Sequence, residues 1–288
     1  MKVHPDCFPC FLRQALIAIR LVTKDASVQE RILKSILPDI QQADTSRPPA
    51  YTTTFIHRTI RMLLDTDPFR EIKGRYNRIA LDMYPSLKHI TESANDPLLT
   101  ASRLAIAGNV IDFGIFKSVD IEGTVRKALE NPPEVNDYNE FKNAISSTDE
   151  ILYLTDNSGE IVFDRLLIET LVASGKTVRA AVKGSPVIND ATMEDARESG
   201  ITEICEVIDN GSDGVGTILE WTSTEFQKTF TDAKLVISKG QGNFETLEDT
   251  EKDIFFLFQS KCGVVSQELD LPKGSMLLKK QQASGNLL

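Results

Sequence analysis

The chain reads as an α/β protein in which a helical assembly precedes a mainly parallel sheet, and three observations in its 288 residues predict this. Apolar residues recur at helical spacing through the first half. After Glu150, short apolar runs alternate with helical patterns, the grammar of βαβ units with right-handed crossovers. Those runs end in Asp, Asn, Lys or Gly, at the carboxyl ends of strands where open α/β sheets bind their ligands.

Taken in order, the first predicted helix spans Phe8 to about Arg20. Amphipathic stretches follow near Val28 to Ile40, Thr53 to Leu64, Phe69 to Met83 and Leu98 to Ile111. Breaks are predicted at Arg47-Pro48-Pro49, Asp67-Pro68, Tyr84-Pro85 and Asn131-Pro132-Pro133, because proline lacks an amide donor and restricts the residue before it. Strands are predicted at Ile151 to Leu154, Val178 to Val182, Glu203 to Ile208, Leu235 to Ile237 and Ile254 to Phe258. Helical patterns at Ile161 to Ala173 and Ala191 to Glu198 lie among them. The change of grammar divides the chain into a helical part, 1–148, and an α/β part, 149–288, with a frayed tail from Gln281.

Composition narrows the function. With 41% apolar and 26% charged residues the chain has the make-up of a globular protein. A formal charge of −10 with scattered basic residues argues against nucleic acid and anionic membranes as partners, and favours a small molecule or a cation. No apolar run reaches the roughly 18 residues that span a bilayer, and Met1 to Asp6 offers no signal-peptide core, so the expected location is cytoplasmic. The four cysteines are too few for a disulfide framework in a chain of this length.

The strand ends carry the chemistry. Ile151-Leu152-Tyr153-Leu154 runs into Thr155-Asp156-Asn157-Ser158-Gly159-Glu160, where Asp156 and Asn157 serve either as helix caps or as ligands. The next strand runs into Lys183-Gly184-Ser185-Pro186 and then Asn189-Asp190. The third enters the glycine-rich stretch Asp209 to Thr217, which includes Asp213. The fourth ends in Lys239-Gly240-Gln241-Gly242-Asn243-Phe244-Glu245. Hard divalent cations take oxygen ligands and keep several waters, an inventory that Asp156, Asn157 and Asp190 meet. Glycines at 211, 214, 216, 240 and 242 would let backbone N–H groups approach a phosphate, with Lys239 adding positive charge. Histidine and cysteine are missing from these loops, which weighs against catalytic zinc. Neither the Walker spacing nor the dinucleotide fingerprint occurs.

These motifs, with Ala107-Gly108-Asn109-Val110-Ile111-Asp112-Phe113-Gly114 and the opening Cys7-Phe8-Pro9-Cys10, resemble the metal-dependent damage-control phosphatase family. That family was long catalogued as the domain of unknown function 89, and the resemblance is to its stand-alone prokaryotic branch. It covers essentially the whole chain and implies a three-layer α/β/α sandwich with a Rossmann-like sheet and an N-terminal helical part. It further implies one divalent metal (Mg, Mn, Co or Ni) and hydrolysis of small phosphomonoesters, sugar phosphates or damaged phosphometabolites among them. Carried over by residue, Asp156, Asn157 and Asp190 are metal ligands, and Asp156 and Lys239 are catalytic. Asn109, Asp112, Lys183, Gly240, Gly242, Asn243 and Glu245 are expected at the substrate. No Asp-x-Asp pattern follows the first strand, which favours water over Asp156 as nucleophile.

Two other classes compete. A non-catalytic phosphometabolite-binding module would use the same glycine loops, with Asp156 and Asp190 as mere caps. A Rossmann-like methyltransferase would need an acidic residue after the second strand, where Lys183-Gly184 stands. His4-x-x-Cys7-x-x-Cys10 is open between a partial zinc or iron shell, completed by Cys205 or Cys262, and buried thiols or a disulfide. His57 and His89 read as structural or surface residues, and Trp221 as core. The sequence leaves the oligomeric state open.

Overall fold

The computed structural model describes residues 1–109 and 121–281. The helices α1 (Cys7–Val22), α2 (Ala26–Ser35), α3 (Leu37–Gln41), α4 (Pro49–Leu64), α5 (Arg70–Glu92), α6 (Pro97–Gly108) and α7 (Ile121–Glu130) come first. The chain continues through β1 (Val135–Asn136), α8 (Tyr138–Ser146), β2 (Glu150–Leu154), α9 (Glu160–Ala173), β3 (Thr177–Val182), α10 (Met193–Ser199) and β4 (Glu206–Asp209). It ends with α11 (Thr224–Asp232), β5 (Val236–Lys239), α12 (Gln241–Leu247), β6 (Ile254–Gln259), α13 (Gly263–Glu268) and β7 (Met276–Lys280).

Local chemistry sets most boundaries. Asp25 caps α2 by accepting the N–H groups of Ser27 and Val28. Pro49 and Pro97 stand in the first turns of α4 and α6, where a missing N–H is harmless. The predicted break at Tyr84-Pro85 does not occur, and Pro85 lies inside α5. The helix continues because Leu87 is buried in the main core beyond the proline, so tertiary packing overrides a local breaker.

The strands form one seven-stranded sheet in the order β1-β7-β6-β5-β2-β3-β4. Strands β2 to β6 run parallel, β7 is antiparallel to β6, and β1 pairs parallel with β7. Neither β1 nor β7 was predicted. The chain order reverses between β2 and β5, which are hydrogen-bonded neighbours, and the carboxyl ends of such a pair flank the natural ligand crevice.

Alternation along the strands builds the layers. Ile151 and Tyr153 of β2 join Ile237, Phe255 and Leu257 under α5, α6 and α9. Leu152 and Leu154 face the other way, with Val236, Phe256 and Phe258, against α11 and α12. A separate cluster of Phe11, Ala15, Ile19, Ile32, Ile56 and Ile60 holds α1, α2 and α4 together. The core on the first face draws on residues from both sides of 148, so the change of grammar there is not a break in packing. Among the described residues no helix is long and apolar enough to cross a membrane.

Candidate active site

The loops after β2 and β3 meet at the switch point. Asn157 and Asp190 form an isolated antiparallel bridge. Ala191 N–H donates to Asp156 O at 2.7 Å and Ser158 N–H to Asn189 O at 2.9 Å, so the bridged residues are a non-hydrogen-bonded pair. In such a pair the two side chains share one face and sit close together. The amide of Asn157 and the carboxylate of Asp190 are therefore placed on one face by backbone pairing, with Asp156 adjacent in sequence.

A buried network orients Asp156. Its Oδ2 accepts from Asn157 Nδ2 at 2.6 Å and from Asn109 Nδ2 at 3.1 Å. The same two nitrogens reach Glu160 Oε2 at 2.9 and 2.8 Å. With the Asn157 nitrogen spent on these two carboxylates, the amide oxygen is the atom left to serve a cation. Gly240 adopts φ +83°, and a Cβ there would stand 1.9 Å from Asp156 Oδ2. That glycine gives room to a carboxylate from the neighbouring strand end.

Lys239 sits differently from its expected place at a phosphate. It is fully buried, and its ammonium donates to Glu160 Oε1 at 2.7 Å, Asp164 Oδ1 at 2.6 Å and Ala105 O at 2.9 Å. An ammonium carries three protons, so all are engaged within the protein. Tyr153 donates to the same Asp164 oxygen at 2.8 Å. Burial pushes the Asp164 carboxyl up to about 7 against the pull of Lys239, while the two carboxylates hold Lys239 well above the usual lysine range.

The remaining expected residues divide by what they touch. Lys183 donates to Gly216 O and stands 3.3 Å from Asp190 Oδ2, tying the β3 loop to the glycine-rich loop. Asn109 has its oxygen taken by Gln259 N–H at 3.0 Å and its nitrogen by the two carboxylates, so it holds the site together instead of facing substrate. Asn243 spans Thr155 O and Lys239 O and accepts from Thr217 Oγ1, which likewise makes it a brace. Gly242 backs onto Gly216, whose own Cβ would meet Gly242 O at 2.2 Å. Glu245 accepts from Gln241 at 2.7 Å, and burial pushes its carboxyl up to about 7. Asp112 lies outside the described residues. Asp213 is gripped by Arg58 and Arg61 of α4.

The N-terminal cysteines, Cys262 and Trp221 lie outside the crevice. Cys7, Cys10 and Cys262 are neighbours and all are free thiols in the structure, with burial pushing the first two up. Among the described residues no three His, Cys, Asp or Glu side chains form a metal cluster, so the zinc or iron shell is not built. The crevice set is of another kind, two carboxylates and an amide. Trp221 is half-buried at the surface, packed edge-on to Tyr51 and Phe55 with Arg58 over its ring at 4.9 Å.

Comparison with known proteins decides the family. Residues 3–277 match the damage-control phosphatase ARMT1-like domain. The chain belongs to this family. The chain is 34% identical to a damage-control phosphatase of Archaeoglobus fulgidus, over 97% of this chain and 99% of that one. A damage-control phosphatase of Pyrococcus horikoshii is also 34% identical, over 98% and 99% of the two chains. The crystal structure of a family member from Pyrococcus horikoshii superposes with a TM-score of 0.89, covering 98% of this chain and 100% of that one. Within this damage-control phosphatase fold, Glu160 is the site residue that the sequence reading passed over. It stands in the quoted motif, but a glutamate in the first turn of a helix is common enough to pass as a dipole partner.

Proposed function

We propose that this chain is a metal-dependent phosphatase that hydrolyses small phosphomonoesters, sugar phosphates or damaged phosphometabolites among them. The observation that carries the reading is the Asn157–Asp190 bridge, which brings two acid-bearing loops onto one face at the switch point beside Asp156. The donor set fits a hard divalent ion of the Mg, Mn, Co or Ni type, which Asp156, Asn157 and Asp190 would hold. When bound, that ion supplies neutralisation of the charge that spreads over the phosphoryl oxygens.

The chain's own residues supply positioning. Asn109 and Asn157 fix Asp156 through its Oδ2. A carboxylate whose Oδ2 is clamped by two amide donors suits a fixed ligand, which favours water over Asp156 as the nucleophile. Lys239 holds Glu160, whose other oxygen anchors the Asn157 amide, and Lys183 steadies Asp190. The methyltransferase reading gains no support, since Lys183 occupies the place after β3 where an acidic residue would bind ribose.

The test is to strip the purified protein with a chelator and assay para-nitrophenyl phosphate and a sugar-phosphate panel, with Mg, Mn, Co or Ni returned singly. Activity lost on stripping and restored by metal is expected. Full turnover after exhaustive metal removal sinks the metal scheme. Tight sugar-phosphate binding with no turnover under any metal selects the non-catalytic module.

A further inference from the structure

Helix α5 belongs to the helical part of the chain, yet two of its buried side chains reach the turn after Asn157 and the helix that follows Asp190. Asn77 Oδ1 accepts the Gly159 N–H at 2.6 Å, two residues beyond Asn157. Its Nδ2 donates to Asp195 Oδ1 at 2.9 Å and Glu198 Oε2 at 2.7 Å on α10, which starts just beyond Asp190. Lys73, one turn earlier on the same face, holds the other Asp195 oxygen at 2.8 Å. Asp195 Oδ2 in turn accepts Thr192 N–H and Oγ1–H, both at 2.8 Å, closing the capping box that ends the β3 loop.

The acceptor end of one amide is thus engaged by the Asn157 loop and its donor end by α10, the helix that follows the Asp190 loop. Asn77 is fully buried and Lys73 is 5% exposed. Gly159 takes φ +74°, and a Cβ there would meet Tyr76 Cβ at 3.2 Å, so α5 lies directly against the turn. A buried polar side chain with every group engaged holds its partners in one arrangement.

We infer that Asn77 is a positioning residue for the metal site: supported by Lys73, it is a second clasp that braces the Asn157–Asp190 bridge from α5, tying the turn after Asn157 to the helix after Asp190. The inference rests on the proposed metal reading. Loss of this brace loosens the ligand spacing without removing a ligand, so its signature is weaker metal affinity at a fixed ligand set. Partners that orient metal ligands typically contribute about 10- to 100-fold to affinity.

Calorimetric titration of stripped protein with Mn²⁺ tests this. Asn77→Ala is expected to raise the dissociation constant at least about tenfold. Asn77→Asp keeps the acceptor for Gly159 N–H but puts a third carboxylate against Asp195 and Glu198, and weakens binding as well. Ile19→Ala, in the separate α1 cluster, controls for lost stability alone and leaves Mn²⁺ affinity unchanged. Wild-type affinity in a folded Asn77→Asp or Asn77→Ala protein, with only its melting temperature lowered, overturns the role. If Asn77→Ala fails to fold, Asn77→Asp decides alone. Absence of Mn²⁺ binding by the wild type overturns the site itself, and the two failures are therefore told apart.

Discussion

The carboxylate of Asp156 occupies the space that a side chain on Gly240 would need, with an ideal Cβ falling 2.1 Å from its Cγ. Two strand ends, β2 and β5, thus interlock through one missing methyl group. Gly240→Ala must displace Asp156 or distort a backbone at φ +83°. Activity toward para-nitrophenyl phosphate should fall by about 100-fold, the penalty of a displacement near 1 Å at a reacting centre. Steady-state kinetics with circular dichroism on the variant checks this.

Asp156→Asn replaces the central carboxylate by a neutral group of the same shape. Turnover should drop on the order of a thousandfold, as charge complementarity to the transition state is lost, while the melting temperature stays near wild type. Normal activity in that variant ends the assignment of Asp156.

Lys239→Met leaves Glu160 and Asp164 buried without their counter-ion. Removing one member of a buried ion pair destabilises by about 3–5 kcal/mol. Urea unfolding of the variant should show that loss, whereas a lysine acting only on a phosphate would leave the midpoint unchanged.

Glu245 provides a pH signature. Its folded-state value of about 7 lies above the ordinary 4.5, so the folded protein binds more protons than the unfolded chain between those values. The stabilising contribution is present below about pH 4.5 and is lost as pH rises through 7. Glu245→Gln, neutral throughout, should gain stability relative to wild type across that window, by roughly 3 kcal/mol at most. Thermal unfolding of both proteins from pH 5 to pH 8 measures it, and a constant gap between them contradicts the buried carboxyl.

Strand ends were legible because they are local. Asp156, Asn157 and Asp190 follow apolar runs that the period-two and buried-strand patterns reveal, and their parallel order fixes which loops share an edge. Lys239 was legible as present and illegible in role: a lysine between a strand and a glycine looks solvated until α9 is packed beneath β5 and offers Glu160 and Asp164. Asn77 gave no signal, since a single asparagine on a helical pattern resembles any polar face. The second strand pair was hidden for simpler reasons. β1 is two residues long, and the antiparallel β7 ends in lysines. Pro85 shows the converse, a strong local breaker overruled by the buried residue beyond it.

Asn109 links chain positions that are synthesised far apart. Its side chain joins Asp156 and Glu160 to the backbone of Gln259, 150 residues downstream. Closing such a loop waits on the slowest, least local contacts of the fold. On the ribosome, the emerging chain therefore carries an unlatched acidic centre until β6 has been made, and any fragment that stops short of that strand lacks the latch.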